Sequence, residues 1–112
     1  MSDLPTVRDG DPVTGDQVRA ALTAAEFAYA DGATQTFDPD GTTTYVDGGR
    51  PTHGEWYLEG GHFCSFWPPA YRACYDLTWL VEDGHPAGVT FTSVTDRSTF
   101  TGRYRPSAQR RT

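Results

Sequence analysis

Apolar and polar residues alternate from residue 54 to residue 81, which predicts three consecutive antiparallel strands. Gly60-Gly61 can supply the two positive φ angles of a tight two-residue turn. Pro68-Pro69 ends the next strand, because proline donates no hydrogen bond to a β-ladder. The two turns give the same faces. The apolar face, which we expect to form the core, collects Trp56, Leu58, Phe63, Ser65, Trp67, Tyr75, Leu77, Trp79 and Val81. The face expected to meet solvent collects Glu55, Tyr57, Glu59, His62, Cys64, Phe66, Cys74, Asp76 and Thr78.

The turn at the two prolines also predicts a disulfide. Cys64 and Cys74 lie equally far from Pro69 along the chain. A hairpin centred there places them directly opposite each other, at a separation that a disulfide can bridge. Because cytosolic thiols normally stay reduced, the state of the pair in the cell is left open.

A helix is expected before the strands. Thr14 and Gln17 have the spacing of a capping box. One narrow apolar stripe at helical spacing follows them, formed by Val18, Ala21, Leu22 and Ala25. We expect a helix of about three turns that either plugs one end of the β structure or lies across an open face.

Further strands are expected on both sides of the central stretch. Alternation and turn signals predict strands at 27–29, 34–37, 42–47 and 88–94, and a last strand that ends near residue 104. A break in the strand pattern is predicted at 48–51. The roughly eight strands and short turns predict a mainly β fold, a small antiparallel meander barrel, because closure removes exposed edges. Residues 1–13 are interpreted as a flexible lead-in, 14–105 as one domain and 106–112 as a basic tail.

Composition narrows the function classes. The net charge of −6 argues against a nucleic-acid groove, and no apolar run has transmembrane length. The first residues lack a signal-peptide pattern, so we expect a cytoplasmic protein, or an exported one if a leader has been removed. The chain has no Lys, Asn or Ile, which is typical of a GC-rich genome such as that of an actinobacterium and leaves no lysine for catalysis. Arg103, Arg105, Arg110 and Arg111 are interpreted as a solvated basic cluster in preference to an anion site.

Several segments together resemble a known pattern. Asp40-Gly41, Gly54-Glu55-Trp56, Gly61-His62-Phe63-Cys64 and Cys74-Tyr75 follow one another as in small lipocalin-like (calycin-like) bacterial proteins. The resemblance covers the middle half of the chain. It supports the barrel and adds little on function, and many such relatives look exported. It implies no chemistry at particular residues.

Candidate catalytic residues are few. The sequence has no nucleophile elbow, phosphate loop or zinc spacing, so neither a metal nor another cofactor is expected. The predicted registers place His62 between Glu59 and Asp76, either as a general acid or pH-sensitive contact or, more simply, as a surface ion pair. If that face lined a lumen instead, Glu55 and Asp76 would become internal bases.

The aromatic face is the main candidate for binding. Its candidate ligand-binding residues are Trp56, Ser65, Trp67, Tyr75 and Trp79. Eight-stranded barrels either fill with side chains or hold one small ligand, and the sequence leaves both open. The turn from Trp67 to Tyr71 is expected at a barrel mouth or a protein contact.

We therefore expect a protein that binds a small apolar or aromatic molecule, with neither nucleic acid nor membrane as a partner. Two alternatives remain. One is an isomerase-type or cyclase-type enzyme that uses Glu55, His62 or Asp76. The other is an interaction module without a cavity, and a homodimer is left open.

Overall fold

The computed structural model describes residues 4–105, which form a closed antiparallel barrel of eight strands with one helix. The elements are α1 (Gly15–Thr23), β1 (Phe27–Tyr29), β2 (Thr34–Phe37), β3 (Thr42–Asp47), β4 (Arg50–Glu59), β5 (His62–Trp67), β6 (Tyr71–Glu82), β7 (His85–Ser93) and β8 (Thr99–Tyr104). Each strand pairs with the next along the chain, and β1 pairs with β8 to close the barrel. The predicted meander barrel with a single N-terminal helix is confirmed. The basic tail from residue 106 lies outside the described residues.

Both predicted registers of the central stretch are confirmed. Tyr57 pairs with Cys64 across β4 and β5, and Cys64 pairs with Cys74 across β5 and β6. Cys64 and Cys74 form a disulfide. Gly60 and Gly61 have φ angles of 60° and 83°, as a tight primed turn requires.

The predicted faces hold with two departures. Trp56, Phe63 and Trp79 are buried inside the barrel as expected. Leu58 is 44% exposed, because it lies beside the tight turn at the rim. Cys64 belongs to the outer face but is fully buried, because the register places it between Tyr57 and its disulfide partner Cys74.

Successive strands run in opposite directions, so their turns fall alternately at two ends of the barrel. The turns β2–β3, β4–β5 and β6–β7 lie at one end together with α1, which we call the closed end. The turns β1–β2, β3–β4, β5–β6 and β7–β8 lie at the other, which we call the open end.

Helix α1 plugs the closed end, the first of the two predicted placements. Val18, Ala21 and Leu22 are buried in the core, at the helical spacing expected. The predicted capping box is present, and the Oε1 atom of Gln17 also accepts a hydrogen bond of 3.1 Å from the indole of Trp79. The hydroxyl of Tyr104 donates to the Ala21 carbonyl at 2.6 Å. No helix among residues 4–105 is long and apolar enough to cross a membrane.

The end of the lead-in lies against β6 and is joined to it by backbone hydrogen bonds. Val13 donates a backbone hydrogen bond to Leu77, and Trp79 exchanges backbone hydrogen bonds with Gly10 and Asp11. Strand β6 extends past the start of β5, so its last residues lack a partner on that side. The lead-in supplies that partner through backbone groups. Residues 1–3 lie outside the described part of the chain.

The predicted break at 48–51 is too long. Only Gly48 and Gly49 turn the chain, and β4 begins at Arg50. Pro51 pairs with Val46 of β3, in the part of β4 that precedes its pairing with β5. A proline is tolerated there because no second strand needs its missing N–H group.

Candidate ligand-binding site

A cavity of about 620 Å³ opens at the open end of the barrel. Pockets that hold small ligands commonly measure about 300–1,000 Å³. Its lining comes from strands β1, β2, β3, β5, β6, β7 and β8 and from the β1–β2 turn. The lining residues are Tyr29, Ala30, Asp31, Gln35, Phe37, Tyr45, Phe63, Ser65, Trp67, Tyr75, Phe91, Thr99, Phe100 and Thr101.

Aromatic rings form most of the wall. Phe91 and Phe100 stack with ring centroids 4.9 Å apart, and Tyr75 meets both rings edge-on. On the other side, Tyr45 and Trp67 make an edge contact with centroids 6.4 Å apart. Such tilted and edge contacts leave ring faces available to a flat ligand.

Gly54 positions Trp67. A Cβ atom on Gly54 would lie only 2.6 Å from the indole of Trp67 and 2.7 Å from the carbonyl oxygen of Phe66. Only a residue without a side chain lets the indole lie against β4, so Gly54 keeps this ring at the wall of the cavity.

A chain of hydrogen bonds crosses one wall. The Tyr29 hydroxyl donates to Oε1 of Gln35 at 2.7 Å, and Nε2 of Gln35 donates to the Thr43 hydroxyl at 2.9 Å. Thr43 in turn donates to the carbonyl of Thr36 at 2.7 Å. Because Tyr29 uses its proton on Gln35, its oxygen can offer the cavity only an acceptor.

Ser65 is a second polar point in the wall. It is 4% exposed and lines the cavity. Among residues 4–105 no enclosed side-chain oxygen lacks a hydrogen-bond partner, so the Ser65 hydroxyl, which makes no hydrogen bond there, is open to the cavity. It can therefore meet a ligand directly.

The cavity phenols stay neutral at physiological pH. Burial, followed by the neighbouring Tyr71, raises the pKa of Tyr75 to about 12. Burial is also the largest cause that raises the pKa of Tyr29 and Tyr45, and the charge of Asp31 adds to both. Asp31 lies at the mouth and is exposed, and its carboxylate accepts a hydrogen bond of 3.0 Å from the Ala33 amide.

The structure divides the predicted ligand-binding residues between the two ends. Ser65, Trp67 and Tyr75 line the cavity. Trp56 and Trp79 lie outside it, in the core towards the closed end, where their indoles donate to the Asp38 carbonyl and to Gln17.

Other cavity residues were not among the sequence-predicted site residues. Tyr29, Gln35, Tyr45 and Phe100 line the wall but belong to strands outside the central stretch. One available signal was Gln35, a polar residue two positions before Phe37 and therefore on the same face of its strand.

The catalytic candidates lie on the outer wall, as the face assignment predicts. Nδ1 of His62 is 2.7 Å from Asp76, and Arg97 lies 3.1 Å from the same carboxylate. The hydrogen bond from Arg97, then the contact with His62, lowers the pKa of Asp76. Glu55 is exposed and lines a separate outer groove with Arg72. The guanidinium of Arg72 stacks 5.1 Å from the ring centre of Phe66.

Comparisons with known proteins give no relatives. No family model matches the chain, and searches of curated proteins and of solved structures find no significant match.

Proposed function

We propose that this protein binds a small aromatic or apolar molecule in the cavity at the open end of its barrel. The observation that carries the proposal is the cavity of about 620 Å³, walled by aromatic rings, with the hydroxyl of Ser65 open to it. A ligand with one or two rings could stack on the walls and satisfy that hydroxyl.

The contrast with the closed end supports this proposal. There α1 fills the barrel, and Leu22, Trp79 and Phe27 are buried at 0%, 1% and 0% exposure. Natural cores are packed to high density, and unfilled volume reduces stability. One end of this barrel is filled, whereas space remains among the aromatic rings at the other end. Because unfilled volume reduces stability, we infer that this space serves to bind a ligand.

Two placements weigh against the alternatives. Glu55, His62 and Asp76 lie on the outer wall, away from the cavity, so a cavity enzyme would lack the acid or base first considered for it. In the turn from Trp67 to Tyr71, Trp67 faces the cavity while Tyr71 is 62% exposed. The turn therefore fits the rim of a binding site better than a purely external contact.

Native mass spectrometry of the freshly purified protein is the first test. We expect additional mass that disappears on denaturation, because a ligand of the proposed kind is enclosed by hydrophobic walls. The mass of the released compound would begin to identify it.

A binding assay with matched variants tests the location. The neutral fluorescent probe N-phenyl-1-naphthylamine should brighten on entering the cavity. Ser65→Leu should abolish the signal, because leucine fills the space. Thr92→Leu makes a similar change on the outer wall, opposite Asp76, and should retain it. Equal probe binding by Ser65→Leu and the unmodified protein would refute the proposed site.

A further inference from the structure

We propose that the ligand carries a positive charge, as an aromatic amine or an aromatic quaternary ammonium compound, held by the ring faces and by the carboxylate of Asp31. This inference depends on the proposed function, since it assigns a ligand class to the same cavity. It follows from three observations: the charge of the lining, the arrangement of the rings and the polarity of the buried groups.

The lining carries charge of one sign. Asp31 is the only charged residue among the lining residues found in the described part of the chain. An organic anion would meet this carboxylate without a compensating cation, whereas an ammonium group would be attracted to it. The mouth position allows the carboxylate to stay hydrated until a ligand arrives.

The turns around the mouth add further negative charge. Asp47 lies at the β3–β4 turn and Asp96 in the β7–β8 turn, and their charges act on Tyr45 and Tyr75 of the cavity wall. Three arginines of residues 4–105 lie in or beside the turns of this end. Arg50 is opposite Asp47 in the β3–β4 register, Arg97 is paired with Asp76 on the outer wall, and Arg72 stacks on Phe66 in the outer groove. None of the three lines the cavity.

The rings form a box suited to a cation. Tyr29, Tyr45, Trp67, Tyr75 and Phe100 approach the cavity from different strands. The face of an aromatic ring carries negative potential, and cages of such rings are a recurring way to bind alkylated ammonium groups. The phenols remain neutral at physiological pH, so their rings act on a cation through this face potential.

The buried polar groups favour the same charge. The oxygen of Tyr29 offers only an acceptor, because its proton is donated to Gln35. The hydroxyl of Ser65, which lines the cavity and makes no hydrogen bond among residues 4–105, can rotate to present its lone pairs. Acceptors that converge on a cavity beside a carboxylate suit a protonated amine, which can only donate, and they face a quaternary ammonium ion with their negative ends.

Three probes of similar shape test the charge. Benzyltrimethylammonium is a cation, neopentylbenzene is its neutral isostere, and phenylacetate is an anion. Isothermal titration calorimetry with the full chain should show the cation binding about tenfold more tightly than the neutral compound. Phenylacetate should not bind measurably. A purely apolar cavity would give the opposite order for the first two, because the neutral compound loses no hydration of charge.

A pair of variants assigns the effect to one carboxylate. Asp31→Asn removes the charge but keeps an oxygen for the Ala33 amide. Asp40→Asn is the matched control, because Asp40 accepts the equivalent bond from Thr42 in the β2–β3 turn at the closed end. Asp31→Asn should weaken binding of the cation about fivefold and leave the neutral probe unchanged. Asp40→Asn should affect neither.

The outcomes separate the inference from the function that it depends on. If neopentylbenzene binds as tightly as the cation, or if both variants act equally, the proposed charge is wrong and the ligand site stands. If neither compound binds the unmodified protein, both the site and the charge are refuted. Selective loss of cation binding in Asp31→Asn alone supports the proposal.

Discussion

The two ends of this barrel are built from similar residues but are used differently. At the closed end, Trp56 and Trp79 belong to a packed core that α1 completes. At the open end, Trp67 and Tyr75 surround a cavity of about 620 Å³. Aromatic residues on the inner face therefore do not determine whether a barrel becomes a core or a site. What differs is whether another part of the chain fills the space between them.

Small inward residues contribute to the difference. Ser65 and Ala73 pair across β5 and β6, and Gly54 stands against Trp67. At these positions the wall is thin, so volume remains inside. At the closed end the corresponding volume is occupied by Val18 and Leu22 of the helix. Four substitutions or pairs of substitutions, in order of decreasing effect, test this contrast.

Removing one tryptophan from each end should separate stability from binding. Trp79→Ala should lower the free energy of unfolding by about 3–5 kcal/mol, because it leaves a cavity in a filled core and removes the bond to Gln17. Trp67→Ala should cost about 1 kcal/mol, since Trp67 is only half-buried, and should abolish binding of N-phenyl-1-naphthylamine. Urea denaturation and the probe assay measure the two effects. Equal stability losses would mean that the ends are equally packed.

Enlarging one small residue at each end should have opposite effects on stability. Ala21→Leu places extra volume into a fully buried position of α1 and should lower the free energy of unfolding by about 1–3 kcal/mol. Ser65→Leu should leave stability unchanged or raise it by up to about 1 kcal/mol, because leucine buries apolar area in empty space. A large loss of stability in Ser65→Leu would contradict the presence of a cavity.

Adding a methyl group to one glycine at each end gives a smaller contrast. Gly54→Ala should cost about 1–3 kcal/mol and weaken probe binding, because the new Cβ displaces the indole of Trp67. Gly15 is the first residue of α1, and a Cβ atom added there meets no atom within 4 Å. Gly15→Ala should therefore stabilise the protein by about 0.4–1 kcal/mol. Thermal unfolding with and without probe distinguishes them. Unchanged probe binding in Gly54→Ala would show that the indole position does not shape the site.

The outer wall should contribute least. The pKa of Asp76 is below its usual value, chiefly because of Arg97, so its ionised form stabilises the folded state. Asp76→Asn should lower the free energy of unfolding by less than about 1 kcal/mol at pH 7, since the pair is exposed to solvent. The difference from the unmodified protein should disappear as the pH falls through the folded pKa, below 3.8. A difference that persists at pH 2 would need another cause than this carboxylate.

Much of the fold could be predicted because its signals are local. The alternation around Gly60-Gly61 and the equal spacing of Cys64 and Cys74 determine register through neighbouring residues alone, and both registers are confirmed. The contact of the lead-in with β6 was not predicted, because Gly10 and Val13 are held there by backbone hydrogen bonds. Such bonds leave little trace in side-chain pattern.

The site was harder to predict because it depends on distant parts of the chain. Sequence alternation places Trp67 and Trp79 on the same face but does not say which end the helix fills. That choice depends on contacts such as Gln17 with Trp79, which are 62 residues apart. Gln35 and Tyr45 join the wall only when β2 and β3 curve round to face β5 and β6. Their contribution therefore appears only with the closed barrel.

The strand that closes the barrel also has a dynamic consequence. β1 is only three residues long and joins β8, the strand farthest from it in sequence, while it carries Tyr29 into the cavity wall. Short elements with few hydrogen bonds open at low free-energy cost, so we expect the amides of β1 to exchange with deuterium sooner than those of the long strands β6 and β7. A compound that contacts Tyr29 would slow this exchange. By the reciprocity of linked equilibria, any change that tightens the seam between β1 and β8 should then also tighten binding.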